Sequence, residues 1–305
     1  MNLVIVGSVA VDTIDTPHGH LERGLGGAAT FASVAASHFA QPGIVGVVGK
    51  DFDPAHIRLL KRRGIDLEGL QIDSTGETFH WSGFYEGDLG LAHTRFTHLN
   101  VFANFKPRIP ESYRSAPHVL LANIAPALQL EVLAQVRRPR LVLCDTMNYW
   151  ITSAPQDLES VFRKVDVICI NEDEARQFTN QATTPAAVRE LLRLGPARVI
   201  IKKGASGVLL FGKKSFFALP AIPLTTVRDT TGAGDSFAGG FMGAVTRSRK
   251  LDEDAFRRGV VAGTVMASYC VEAFSCRRTA RLRKADISKR IALLREFVRI
   301  PPFPA

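Results

Sequence analysis

Cysteine is scarce in this chain, and the four present (Cys144, Cys169, Cys270, Cys276) form no Cys-x-x-Cys pair. That argues against a disulfide framework and against a zinc site of the paired-cysteine kind. Cys144 and Cys169 end or interrupt apolar runs (Leu-Val-Leu-Cys and Val-Ile-Cys-Ile), where a free thiol acts as a small buried hydrophobe. Nowhere does an apolar run approach the roughly 18 residues of a membrane helix. The apolar opening Met1 to Val6 stops at Gly7-Ser8 and lacks a basic leader and a cleavage pattern, so it reads as a strand and not a signal peptide. A soluble cytoplasmic protein without a membrane partner is the expectation. Internal repeats and low-complexity tracts are missing too. A strand-Gly-x-Gly-x-x-Gly-helix unit is also lacking, because about seventeen residues separate the first strand from Gly24-Leu25-Gly26-Gly27, and this speaks against a nicotinamide-dependent dehydrogenase.

Acid is under-represented, leaving a formal charge of +9. Part of the excess is local, at Arg277, Arg278, Arg281, Arg283 and Lys284. Nucleic-acid sites interleave such charge with aromatic residues, and none occurs here. The cluster reads as a solvated face, with no specific nucleic-acid partner, and the charge suits anionic nucleotides.

What is present is regular alternation. Short apolar, β-branched runs stand at Leu3–Val6, Ile44–Val48, Val119–Leu121, Leu141–Cys144, Val167–Ile170, Val199–Ile201 and Val208–Phe211. Helical patterns lie between many of them, at Ala28–Phe39, Pro54–Arg63, Ala127–Val136 and Pro185–Leu194. Strands alternating with helices predict an α/β fold with a doubly wound, mostly parallel sheet. Thr75 to Glu86, rich in threonine and aromatics and broken by glycine, predicts a strand-rich excursion. Its Phe79, Trp81 and Phe84 suit cross-strand packing or the wall of a pocket. A buried helix is expected over Phe256–Val271, and a last amphipathic one over 286–299, stopped by Pro301-Pro302. Gly207 to Lys214 comes close to a phosphate-binding loop, but its middle is four apolar residues, so it predicts a strand and hairpin turn.

The rest is organised around Asp229-Thr-Thr-Gly-Ala-Gly-Asp-Ser-Phe-Ala-Gly-Gly-Phe241. Gly232-Ala233-Gly234 lets backbone amides approach a ligand closely. Phe237, Phe241 and Val245 then mark one face of a helix. Unpaired amides and the positive dipole end at that N-terminus favour an anion. Asp235 shares the first turn, and the same dipole is expected to hold it ionised.

This string resembles the signature of the ribokinase-like (phosphofructokinase-B type) carbohydrate and nucleoside kinases. Other motifs follow in family order over nearly the whole chain: Gly7-Ser8 leading to Asp12, the pair Gly26-Gly27, Asn171-x-x-Glu174 and Lys203-Gly204. The resemblance implies a three-layer α/β sandwich with a mostly parallel central sheet flanked by helices. Residues 1–8, 23–72 and 106–305 would form it, and 9–22 with 73–105 a discontinuous β lid.

The resemblance also implies roles. Gly232, Ala233 and Gly234 form an anion hole for the transferred phosphate, and Asp235 takes the acceptor's hydroxyl proton. Asp12, Gly26, Gly27, Phe31 and Asp235 meet the acceptor. Asn171, Lys203, Gly204, Thr230, Gly232, Gly234, Ala267 and Val271 meet ATP, while Glu174 holds Mg2+ through water. The family commonly has asparagine where Phe31 stands, which speaks against ribose as substrate. A kinase for a primary hydroxyl of a sugar or nucleoside is the expected activity. The resemblance allows a monovalent cation and a homodimer through the lid. A non-catalytic sensor on the same fold is the alternative, although such a sensor would be expected to have lost Asp235 or the Gly-Ala-Gly run.

Overall fold

The structure is a computed structural model, described here for residues 1–87 and 89–301. Thirteen strands and ten α-helices occur among the described residues. The strands are β1 (Leu3–Val6), β2 (Ala10–Thr16), β3 (Gly19–Gly26), β4 (Pro42–Gly49), β5 (Asp66–Asp73), β6 (Phe79–Tyr85), β7 (Ala92–His98), β8 (His118–Leu121), β9 (Leu141–Asp145), β10 (Val167–Asn171), β11 (Arg198–Lys202), β12 (Val208–Gly212) and β13 (Phe216–Leu219). The helices are α1 (Ala28–Ala36), α2 (Pro54–Arg62), α3 (Pro126–Gln135), α4 (Asn148–Ser153), α5 (Pro155–Phe162), α6 (Glu172–Thr179), α7 (Thr184–Arg193), α8 (Ala233–Val245), α9 (Glu253–Cys270) and α10 (Lys284–Phe297).

Nine strands form one sheet in the order β13-β12-β11-β10-β9-β8-β1-β4-β5. From β11 to β5 every pairing is parallel, and β12 and β13 close one edge as an antiparallel hairpin. Parallel strands need both faces covered, and the apolar runs supply both. Successive residues divide between the layers: Leu3 and Ile5 face the side of α1, α8 and α9, while Val4 and Val6 face that of α5 and α7. The chain leaves β1 toward β4 on one side and returns to β8 on the other. The crevice beyond the carboxyl ends of β1 and β8 is therefore the switch point, where open α/β sheets bind ligands.

Four strands form a second, smaller sheet in the order β3-β2-β6-β7, so the excursion at 75–86 is the strand-rich element its composition predicts. β3 runs on past residue 22 to Gly26, which places Gly24 and Gly26 in the small sheet and makes Gly27 the cap of α1. Beyond β7, Val101 and Phe105 pack under the large sheet instead of joining the small one. All four cysteines are free and buried. The last helix ends at Phe297, and Pro302 of the stop signal lies outside the described residues.

Candidate active site

Gly232 caps α8 with φ 75°, a left-handed conformation that glycine adopts without strain. There is no room for a side chain there, since a Cβ on Gly232 would overlap the ring of Phe31. Phe31 itself is buried in the core beneath this turn. The Ala233 amide donates to the Thr230 carbonyl (3.2 Å), and the first helical bond runs from the Ser236 amide to the Gly232 carbonyl (2.8 Å). The remaining first-turn amides carry the dipole's positive end.

Asp235 sits in that turn, half-buried. Burial, with the Asp145 carboxylate next in weight, pushes its carboxyl up to about 7, while the Lys202 ammonium opposes the shift. The dipole was expected to hold it ionised. Desolvation and a second carboxylate outweigh a dipole worth typically about 0.3–1 kcal/mol at the surface.

Asp12 reaches the same region from β2 of the small sheet. It is buried, receives the Gly27 amide, and is pushed up to about 8 by burial, then by Asp229 and Asp235. Gly26, diagonal to it across the β2–β3 ladder, leaves it room, because a Cβ there would overlap the Asp12 carboxylate. Asp229 is buried as well: its Oδ1 accepts the Thr231 amide at 2.9 Å, and its Oδ2 has no hydrogen-bond partner.

The carboxyl ends of β9, β10 and β11 supply the next layer. Lys202 Nζ donates to both Asp145 oxygens, at 2.8 and 2.9 Å. Asn171 and Glu174 form a reciprocal capping box on α6: the Glu174 amide donates to Asn171 Oδ1 (2.8 Å), and the Asn171 amide to Glu174 Oε2 (2.9 Å). Burial raises the Glu174 carboxyl. Lys203 points elsewhere and pairs with Glu172 at 3.0 Å, just before the turn at Gly204.

The small sheet is fastened to the glycine-rich loop. Tyr85 Oη and Thr231 Oγ1 share a hydrogen bond of 2.8 Å. Thr230 Oγ1 donates to the Leu89 carbonyl at 2.8 Å, so its hydroxyl faces the small sheet. Ile14, Leu21, Tyr85 and Leu89 form an apolar cluster with Phe274 of the main body. The aromatics of β6 make local contacts: Phe79 stacks on Phe102, Phe84 stacks on His93, and Trp81 Nε1 donates to Thr94. Ala267 and Val271 are half-buried at the end of α9, where the Val271 carbonyl accepts the Arg228 amide (2.8 Å).

The structure thus brings Asp12, Gly26, Gly27, Phe31 and the α8 turn together, with Asn171 and Glu174 at a neighbouring strand end. Lys202, Asp145, Asp229 and the Tyr85 hydroxyl were missed by sequence reasoning. The signal for the first two was available: each is a charged residue closing an apolar parallel strand at its carboxyl end. Among the described residues no cluster of three or more His, Cys, Asp and Glu forms a ready metal cage. The arrangement offers an anion site, a carboxyl of raised proton affinity beside it, and a second carboxyl under a glycine shelf.

A sequence profile of the pfkB family carbohydrate kinases matches residues 1–270. The chain is 31% identical over 259 residues to a cytidine kinase of Thermococcus kodakarensis, covering 83% of this chain and 91% of that one. It is 30% identical over 264 residues to a ribokinase of Mus musculus, covering 78% and 79%. The fold superposes on Arabidopsis thaliana ribokinase complexed with ribose and ATP with a TM-score of 0.75 at 20% identity, over 95% of this chain and 98% of that one.

Proposed function

The chain belongs to the pfkB family of carbohydrate kinases, and from that premise we propose that it transfers the γ-phosphate of ATP to a primary hydroxyl of a nucleoside. The carrying observation is that Asp235, with its raised proton affinity, shares the first turn of α8 with amides that favour an anion. A general base must reach the acceptor hydroxyl as it attacks the bound phosphoryl group, and be ready to take its proton near neutral pH. Asp12 holds acceptor hydroxyls, and the amides of the Gly232–Gly234 turn hold the transferred phosphoryl group. Phosphoryl transfer asks mainly for positioning and charge neutralisation, and these groups provide both.

On the nucleotide side, the reading assigns Asn171, Lys203-Gly204, Thr230, Ala267 and Val271. Asn171, Lys203, Thr230, Ala267 and Val271 are half-buried and Gly204 exposed, as open nucleotide contacts would be, although Lys203 and Thr230 would have to exchange their present partners for ATP. Mg2+ fits Glu174: one oxygen is held by the capping box, and a single carboxylate with waters and phosphates suits this ion. When bound, it would neutralise phosphate charge. Asp229 Oδ2, buried without a partner, is the group that a monovalent cation would satisfy. A homodimer through the small sheet belongs to the same reading.

Phe31, expected to meet the acceptor, is instead buried in the core under Gly232 and supports the turn from below. A nucleoside is favoured over a sugar by the cytidine kinase similarity. Release of ADP on mixing the protein with MgATP and a panel of nucleosides and sugars tests this. Turnover of a nucleoside above free ribose is expected. Ribose as best substrate by a wide margin would overturn the choice of acceptor, and no ATP consumption with any member would overturn the kinase.

A further inference from the structure

Lys202 closes β11 at the sheet's ligand-binding edge, and its side chain is only 18% exposed. Its ammonium lies beside the α8 turn: a Cβ on Gly234 would stand 3.1 Å from Nζ. Lysine has three N–H donors. Two contacts go to the Asp145 oxygens, and no other protein acceptor engages Nζ among the described residues. The remaining donor is therefore left beside the turn.

The charge balance of this spot is unfavourable to an anion without that lysine. Asp145, Glu174 and Asp235 all act on Lys202 or on each other. A phosphoryl group brought to the α8 turn adds more negative charge beside three carboxyls. First-turn amides alone carry about half an elementary charge. A lysine is a compact point charge suited to phosphate oxygens.

Resting on the kinase reading, we propose that Lys202 is a catalytic residue, donating its free N–H to a non-bridging oxygen of the γ-phosphoryl group during transfer, with Asp145 as its positioning residue. In that step the acceptor oxygen forms a bond to γ-phosphorus while the bond from γ-phosphorus to the β-phosphate's bridging oxygen breaks. The electron pair of the broken bond leaves on ADP, and the hydroxyl proton passes to the Asp235 carboxylate. Lys202 gives up no proton; the Asp145 carboxylate, nearly buried against it, keeps it charged throughout. The adjacent Lys203, paired with Glu172, does not share this position.

Lys202→Met alone strands the buried Asp145 carboxylate without its partner, a fault that strongly destabilises folds. The double variant Lys202→Met/Asp145→Asn removes both charges and carries the test if the single variant does not fold. Steady-state kinetics with an acceptor that the wild type uses should show kcat lower by about 10²–10³-fold, the usual loss for one transition-state donor. Acceptor KM and ADP affinity should stay within about threefold, a difference of under 1 kcal/mol. Calorimetric titration of ADP with and without aluminium fluoride, a mimic of the transferring phosphoryl group, gives a readout independent of turnover. The wild type should bind the fluoride complex more tightly than ADP, and the double variant should lose that gain. Lys202→Arg, keeping the charge, should retain part of it. A folded double variant with kcat within threefold of wild type, or with the fluoride gain intact, overturns the proposal. Equal losses in ADP affinity and kcat overturn it too, since they mark a merely structural pair. If the wild type turned over no acceptor, the kinase reading would fall, and the fluoride titration would still decide whether Lys202 meets the anion.

Discussion

Tyr85 on the small sheet and Thr231 on the glycine-rich loop are joined hydroxyl to hydroxyl at 2.8 Å. Burial raises the Tyr85 phenol to about 12, so it stays protonated and neutral. One hydrogen bond thereby links the small sheet to the glycine-rich loop that precedes α8. Tyr85→Phe removes the hydroxyl and keeps the ring in the Ile14, Leu21 and Phe274 cluster. Stability should fall by about 0.5–1.5 kcal/mol, the net worth of such a bond. Acceptor KM should rise more than nucleotide KM, and a variant in which only nucleotide KM moves would disconnect the small sheet from the acceptor.

Asp235→Asn keeps size and polarity while removing the proton acceptor and a charge beside the phosphate. We expect kcat to fall by about 10²–10⁴-fold, the usual worth of a general base. Calorimetric ATP affinity should hold or rise slightly through lost repulsion, with circular dichroism confirming the fold. Retention of more than about a tenth of wild-type kcat would remove Asp235 from its assigned role.

Asp12 should make the unliganded protein less stable as pH rises. Its folded-state carboxyl lies near 8 against an ordinary 3.8, so between those values the native state binds a proton that the unfolded chain has lost. By linkage, stability then decreases with increasing pH across that window. Buried histidines such as His38, lowered to about 4, slope the other way, but only up to their ordinary 6.5. The clean interval is therefore about pH 6.5 to 8. Melting temperatures of wild type and Asp12→Asn, followed by calorimetry through it, should converge on the acid side and separate above, with the wild type falling faster. Parallel curves would show that Asp12 is ionised throughout.

Glu174 is both half of a capping box and the assigned Mg2+ ligand, and two substitutions separate these duties. Glu174→Gln preserves a side-chain acceptor for the Asn171 amide but removes the charge. Its melting temperature should stay close to wild type while the Mg2+ concentration for half-maximal turnover rises severalfold. Glu174→Ala should lose about 0.5–2 kcal/mol of stability in addition, the range for a lost cap. An unchanged Mg2+ dependence in Glu174→Gln would leave this residue a cap alone.

Sequence alone settled what depends on near neighbours. The buried parallel strands were legible because both faces of each are apolar. The start of α8 was legible from Gly232 and the face of Phe237, Phe241 and Val245, and the Asn171/Glu174 pair lies only three residues apart. β5 escaped notice because an edge strand carrying Asp66, Glu68 and Asp73 has no continuous apolar run. Tertiary structure decided the rest. Asp145 and Lys202 are 57 positions apart, and Tyr85 and Thr231 are 146 apart. Phe31 meets Gly232 only because α1 packs on α8. Nor does a carboxylate's place in the chain reveal its proton affinity. Asp12 and Asp235 are raised by burial and by carboxylates distant in sequence, and both effects come into being only when the folded chain excludes water from among them.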